Sequence, residues 1–259
     1  MAAPPRTVAR RVLAALLAVV AAVPFFGLVD LSTLVGLADP SEQWPVPVEA
    51  SWGSFFTVLV AGAYGWIAIA RNAWPGFLQL GITTVSLLFA AAGGLDPGPL
   101  LIAVGIGLSA ALLLVLGGRR GRVQPDPPRR WSQLRDRWPE TLLAAAALVL
   151  WLPYALAALA RSRAGAGSDV TNGFEHWPVQ GATGLALLLT AIALAVWAPG
   201  PRLLGVSAGI TGGLIAIAAL LYPDRIGATE GTIWAVAALA WALVIGIRAV
   251  ARRSTIERM

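Results

Sequence analysis

Apolar residues in this chain fill long blocks, broken by short stretches rich in Arg, Asp, Glu, Gly and Pro, with no helical or strand period. A helix of about 20 mostly apolar residues, rising about 1.5 Å each, crosses a hydrocarbon core of about 30 Å. Eight blocks reach or approach that length: Val12 to Val29, Trp52 to Ala70, Pro75 to Ala92, Leu100 to Leu116, Thr141 to Ala160, Gly181 to Trp197, Leu203 to Leu221 and Thr232 to Val250. The third and fourth are short for a span. Strands of a membrane barrel would be about ten residues long with alternating polarity. The expected fold is an all-α membrane protein with eight transmembrane helices.

Composition agrees. Of 259 residues, 58% are hydrophobic and 12% charged, with a mean hydropathy of +0.74, whereas a soluble domain carries about a quarter charged residues. The absence of Cys excludes disulfides, thiolate metal sites and thiol catalysis. All basic residues are Arg, so there is no Lys for a Schiff base. No cofactor is implied.

The net charge of +6 would suggest a polyanion partner in a soluble protein, but here its position assigns it to topology, with no nucleic acid partner. The N-terminus, the turns at Arg71 and Arg202, the stretch 117–140 and the C-terminus together hold 16 of the 19 Arg. The alternate segments hold Arg161, Arg163 and Arg225 against nine acids, among them Asp30, Asp39, Glu42 and Glu49. Because Arg is retained on the cytoplasmic side, both termini are expected in the cytoplasm of a bacterial-type plasma membrane. Trp44, Trp52, Trp177 and Trp234 mark the outer boundary in this frame, and Trp66, Trp74, Trp131, Trp138 and Trp197 the inner one; Trp151 and Trp241 lie within spans. Arg10 and Arg11 before an apolar run resemble a signal peptide. The repeat described next predicts that this segment is retained.

Glu42-Gln43-Trp44-Pro45-Val46 nearly duplicates Glu175-His176-Trp177-Pro178-Val179, at an offset of 133. Pro24-Phe25 pairs with Pro153-Tyr154, Gly81-Ile82-Thr83 with Gly209-Ile210-Thr211, and Ala103-Val104 with Ala235-Val236, at nearly the same offset. These markers predict two parallel-oriented four-helix repeats, residues 1–122 and 139–259, related by a pseudo-two-fold along the membrane normal. Residues 123–138 form an Arg- and Pro-rich cytoplasmic linker. Within it Trp131, Leu134 and Trp138 share a helical face suited to the inner leaflet.

The repeated Glu-x-Trp-Pro-Val is the most specific motif. Glu42, Trp44, Pro45, Glu175, His176, Trp177 and Pro178 are the candidate ligand-binding residues, two acids and two rings forming a rim for a cationic or amphipathic molecule. Helix initiation explains the same residues and is the stronger account, since Pro suits a helix start and Glu favours its dipole. His176, the only His, reads as an exposed loop residue and, with no Cys or second His, as a poor metal ligand. Pro24 and Pro153 are expected to kink the first helix of each half, for packing or for a transport site. Gly205, Gly209 and Gly213 form a ladder for close helix packing, with a weaker one at Ala61, Gly65 and Ala68.

No Asp, Glu, Arg or His falls in the middle of a predicted span, where ion-coupling groups are found. Hydroxyls and Gln79 make up the interior polar set. The first functional expectation is therefore non-catalytic binding or passive transport of a lipid or small amphipathic solute between the two halves. The second is a structural subunit of a membrane complex, with membrane lipids and a membrane protein or a second copy as partners. The third and least supported, a membrane enzyme on a lipid-linked substrate, would draw on Glu42, Glu49, Glu175, His176 and Glu230.

Overall fold

The computed structural model describes residues 5–35, 45–117, 138–165, 175–196, 201–228 and 231–251. These residues are helical, with no strand among them. The helices are α1 (Pro5–Ala22), α2 (Gly27–Ser32), α3 (Val46–Ser54), α4 (Gly62–Ile69), α5 (Trp74–Gly94), α6 (Gly98–Gly117), α7 (Trp138–Arg163), α8 (Trp177–Val196), α9 (Pro201–Leu221) and α10 (Thr232–Ala251). A π-helical stretch, Phe55–Ala61, joins α3 to α4 in one span. Among the described residues seven helices are long and apolar enough to cross a membrane, and α1 with α2 makes an eighth if the pair counts as one bent span. The chain is a multi-pass helical membrane protein.

The spans expected to be short are not. Helices α5 and α6 reach 21 and 20 residues, because Gly93, Gly94 and Gly98-Pro99 extend them beyond their apolar runs. Backbone hydrogen bonds have no competitor in hydrocarbon, so helices continue through residues that would end them in water.

The two proline sites differ. At Pro24 the helix breaks, α1 and α2 meeting at 48°, and Phe26 takes a left-handed conformation with φ 59°. Pro153 lies inside an uninterrupted α7. Both prolines remove a backbone donor. After Pro153 the run Tyr154-Ala155-Leu156-Ala157-Ala158 is a strong helix former, whereas Phe25-Phe26-Gly27 follows Pro24. Trp52 Nε1 donates to the Phe25 carbonyl at 2.8 Å, satisfying an acceptor at the break.

The π-helical stretch also has a local cause. Such a turn displaces carbonyls from their usual partners, and the Gln79 side chain of α5 donates Nε2–H to the Leu59 carbonyl at 2.6 Å. Gln79 is thereby fully buried.

The glycine ladder of α9 packs against α10. A Cβ at Gly205 would stand 2.5 Å from Ala249 Cβ, and one at Gly209 would stand 2.9 Å from the Ala242 carbonyl oxygen. At Gly213 the nearest atom, Ala242 Cβ, would be 4.0 Å away. Trp151 and Trp241, the two tryptophans placed within spans, meet edge to face at 5.4 Å. Phe55, Phe56, Leu59, Trp151 and Leu187 are among the fully buried side chains that fill the bundle interior.

The two ends differ in charge. At one, Arg10 lies against Gly117, and Arg248 pairs with Glu140 at 2.8 Å. At the other, Gly94 meets Ser162 and Pro178, and the turn at Gly227 touches Val48 and Gln180. Asp30, Glu49, Asp96 and Glu175 belong to this second, acidic end.

Candidate functional site

At the acidic end the break after α1 lets α2 fold onto α3. The two backbones touch: a Cβ at Gly53 would lie 2.7 Å from the Gly27 carbonyl oxygen, and one at Gly27 would lie 2.5 Å from Thr57 Oγ1. Asp30, one turn into α2, is thereby held against the first turn of α3. That turn begins earlier than the apolar block predicts, at Val46 rather than Trp52. Pro45 precedes it and Pro47 occupies its second position, where a missing N–H costs nothing. Glu49 N–H donates to the Pro45 carbonyl at 3.0 Å, so Glu49 is a helix residue facing inward, 3% exposed.

The third member comes from the other half of the chain. His176 immediately precedes α8, and its carbonyl accepts the Gln180 N–H at 3.0 Å. It is 8% exposed, a correction to the expected exposed loop residue. The cause is the neighbouring Trp177-Pro178, which starts α8 within the bundle and carries His176 in with it. Imidazole Nε2 lies 3.6 Å from Glu49 Oε2 and 4.0 Å from Asp30 Oδ2. One donor atom from each of Asp30, Glu49 and His176 falls within 4.8 Å of the other two.

Aromatic rings wall the cluster. Trp52 lies on the imidazole with centroids 4.2 Å apart, Phe56 on Trp52 at 4.9 Å, and Phe25 on Phe56 at 5.2 Å. Asp30 is 8% exposed, and its Oδ2 has no hydrogen-bond partner. Among the described residues no Arg stands within salt-bridge distance of either carboxylate. Of the basic residues at this end, Arg161 lies over the Trp177 ring at 4.8 Å and Arg163 donates to the Gly93 carbonyl.

A polar seam adjoins the cluster. Ser51 Oγ and Tyr154 OH share a hydrogen bond of 2.6 Å between α3 and α7. Thr183 Oγ1 donates to the Val179 carbonyl at 2.7 Å and approaches the Ser51 carbonyl at 3.4 Å.

The candidates of the repeated motif divide. Pro45, Trp177 and Pro178 act in starting α3 and α8. Glu175 stands beside Asp96, and burial first, then that neighbouring charge, raises its carboxyl above the ordinary range. Glu42 and Trp44 lie outside the described residues, as do Glu230 and residues 123–137 of the expected linker 123–138, whose last residue, Trp138, begins α7. Asp30 is the site residue that sequence reasoning missed. Its one signal was an acid at the end of an apolar block already interrupted by Pro24.

No protein family, curated protein or solved structure matches this chain.

Proposed function

We propose that this is a non-catalytic membrane protein that binds a small cation at its acidic end, between Asp30, Glu49 and His176. The observation that carries this reading is the burial of two carboxyl groups and an imidazole within 4.8 Å of one another. Buried charge is costly unless compensated, and like carboxylates at this distance repel. A bound cation relieves both costs. Ionisable groups within membrane-spanning segments are a functional site by default.

The two-fold repeat enters the same reading. The second and third spans of each half touch the third and second of the other, α5 against α8 and the α3–α4 span against α9, as a pseudo-two-fold requires. The cluster itself is asymmetric. At the repeat's offsets Asp30 corresponds to Leu159, Glu49 to Ala182 and His176 to Gln43, so duplication supplies the scaffold and one copy of the site. With the termini cytoplasmic, the site lies at the outer end of the bundle. The filled centre favours binding at this end over passage of a lipid or amphipathic solute between the halves.

The single His makes the test direct. Protein labelled only in histidine gives one imidazole signal by NMR in detergent micelles. Addition of Na⁺, Mg²⁺, Ca²⁺ and Zn²⁺ in turn should move that signal for at least one ion. The Asp30→Asn, Glu49→Gln double variant should abolish the response. A signal that no ion moves removes the reading.

A further inference from the structure

We infer that Asp30, Glu49 and His176 form a three-ligand site for one divalent transition-metal ion of the Zn²⁺ class. This rests on the cation-binding reading and narrows it to one chemical class. Four features of the cluster make the choice.

The first is donor type. Mg²⁺ and Ca²⁺ take oxygen ligands almost throughout, whereas an imidazole nitrogen beside carboxylates suits Zn²⁺ and its first-row neighbours. His176 presents Nε2, not a carbon edge, to both acids.

The second is spacing. With Zn–N and Zn–O bonds of about 2.0–2.2 Å, ligand atoms at two corners of a tetrahedron stand about 3.4 Å apart. The Nε2 distances of 3.6 Å and 4.0 Å to the two carboxylates lie slightly outside that edge. A modest inward movement of the side chains closes the difference. Sites for Mg²⁺ would demand more ligands, in octahedral geometry.

The third is charge. With both carboxyls ionised and the imidazole neutral, the cluster carries a formal charge of −2, which a dication neutralises and a monovalent ion does not. The segments 36–44 and 166–174, which adjoin the described parts of this end in sequence, contain no basic residue.

The fourth is the open valence of Asp30. Its Oδ2 has no hydrogen-bond partner, in a residue 92% buried, and lies 4.0 Å from Nε2. Native structures leave few buried polar atoms unsatisfied, and an ion is one established reason for such an atom. Three protein ligands leave Zn²⁺ a fourth position for water. The wall of Trp52, Phe56 and Phe25 lowers the local dielectric and strengthens the charge interactions there.

Cobalt is the probe, because Co²⁺ substitutes for Zn²⁺ and absorbs visible light when four-coordinate. Full-length protein in detergent, stripped with chelator and dialysed, should bind one equivalent of Co²⁺ with intense visible absorption. Equimolar Zn²⁺ should displace it. His176→Gln and Asp30→Asn should each weaken Co²⁺ binding by at least about tenfold, the lower bound for losing even an outer-shell partner. Asp224→Asn, at an exposed turn and outside the three-residue cluster, should bind as wild type.

A variant that fails to fold is distinguished by His176→Cys, which keeps a metal ligand in place. Since the chain has no other Cys, this variant should add a thiolate-to-cobalt charge-transfer band in the near ultraviolet, proving contact at position 176. Absence of Co²⁺ absorption in wild type overturns the inference, as does a wild-type spectrum retained in both His176→Gln and Asp30→Asn. If Ca²⁺, Mg²⁺ or Na⁺ moves the His176 signal while Co²⁺ and Zn²⁺ do not bind, the metal class is wrong and the cation site stands. If no ion binds, both fall.

Discussion

Gly53 of α3 faces Gly27 of α2 so closely that a Cβ on Gly53 would meet the Gly27 carbonyl oxygen at 2.7 Å and the Leu31 nitrogen at 2.9 Å. This backbone contact holds Asp30 against Glu49, so the geometry of the acidic cluster rests on two residues with no side chain. Gly53→Ala should force α2 away from α3. Overpacking of this kind costs about 1–3 kcal/mol, read as a lower unfolding temperature in detergent. Gly65→Ala, where a Cβ would meet nothing within 4 Å, should leave that temperature nearly unchanged. Equal effects of the two would show that the α2–α3 contact is not close.

The α9 ladder should split under the same treatment. At Gly209 an added Cβ would press on the Ala242 carbonyl at 2.9 Å and Gly246 Cα at 3.0 Å, both backbone atoms that cannot rotate aside. Gly209→Ala is expected to destabilise by about 1–3 kcal/mol. At Gly213 the 4.0 Å gap to Ala242 Cβ accommodates a methyl group, and Gly213→Ala is expected to be neutral or slightly stabilising. Chemical unfolding in mixed micelles measures both, and a Gly213 variant harmed as much as the Gly209 one would contradict the packing described.

The seven long helices were legible as apolar blocks because a hydrocarbon solvent imposes length and composition together, and neither depends on tertiary contacts. What the blocks could not give was where a helix begins beyond its apolar part. Val46 to Ser51 precedes the apolar block taken to begin at Trp52, yet Pro45 and Pro47 start the helix there and Glu49 becomes an interior residue. Pro24 and Pro153 look equivalent in sequence. They diverge because helix continuation depends on the residues that follow, and on whether another segment covers the freed carbonyl, as Trp52 does for Phe25. His176 brought the largest error: a lone His in a loop has no periodicity to reveal burial, and its two partners lie 146 and 127 residues away in sequence.

Gln79 gives a test of the π-helical stretch. Its buried Nε2 donates to the Leu59 carbonyl at 2.6 Å. Gln79→Leu keeps the volume and removes the donor. The Leu59 carbonyl keeps the Gly62 N–H, so the variant loses one net hydrogen bond, about 0.5–1.5 kcal/mol, and a thermal unfolding series should show a loss of that size. If the variant is as stable as wild type, the Gln79 side chain adds no stabilising hydrogen bond to the π-helical stretch.

Orientation is testable because the chain has no cysteine of its own, so any one introduced is the only target for a thiol reagent. Asn72 lies in the exposed turn between α4 and α5, at the arginine end, and Asp224 in the exposed turn after α9, at the acidic end. The excess of Arg on the first end predicts that this end is retained in the cytoplasm. In intact cells, a membrane-impermeant maleimide should therefore label Asp224→Cys and spare Asn72→Cys until the membrane is permeabilised. The result bears directly on the cation site, which lies at the same end as position 224: labelling of Asn72→Cys alone would turn Asp30, Glu49 and His176 toward the cytoplasm. Labelling of both variants in intact cells would contradict the alternating path of the helices, since an odd number of spans, α5 to α9, separates the two positions.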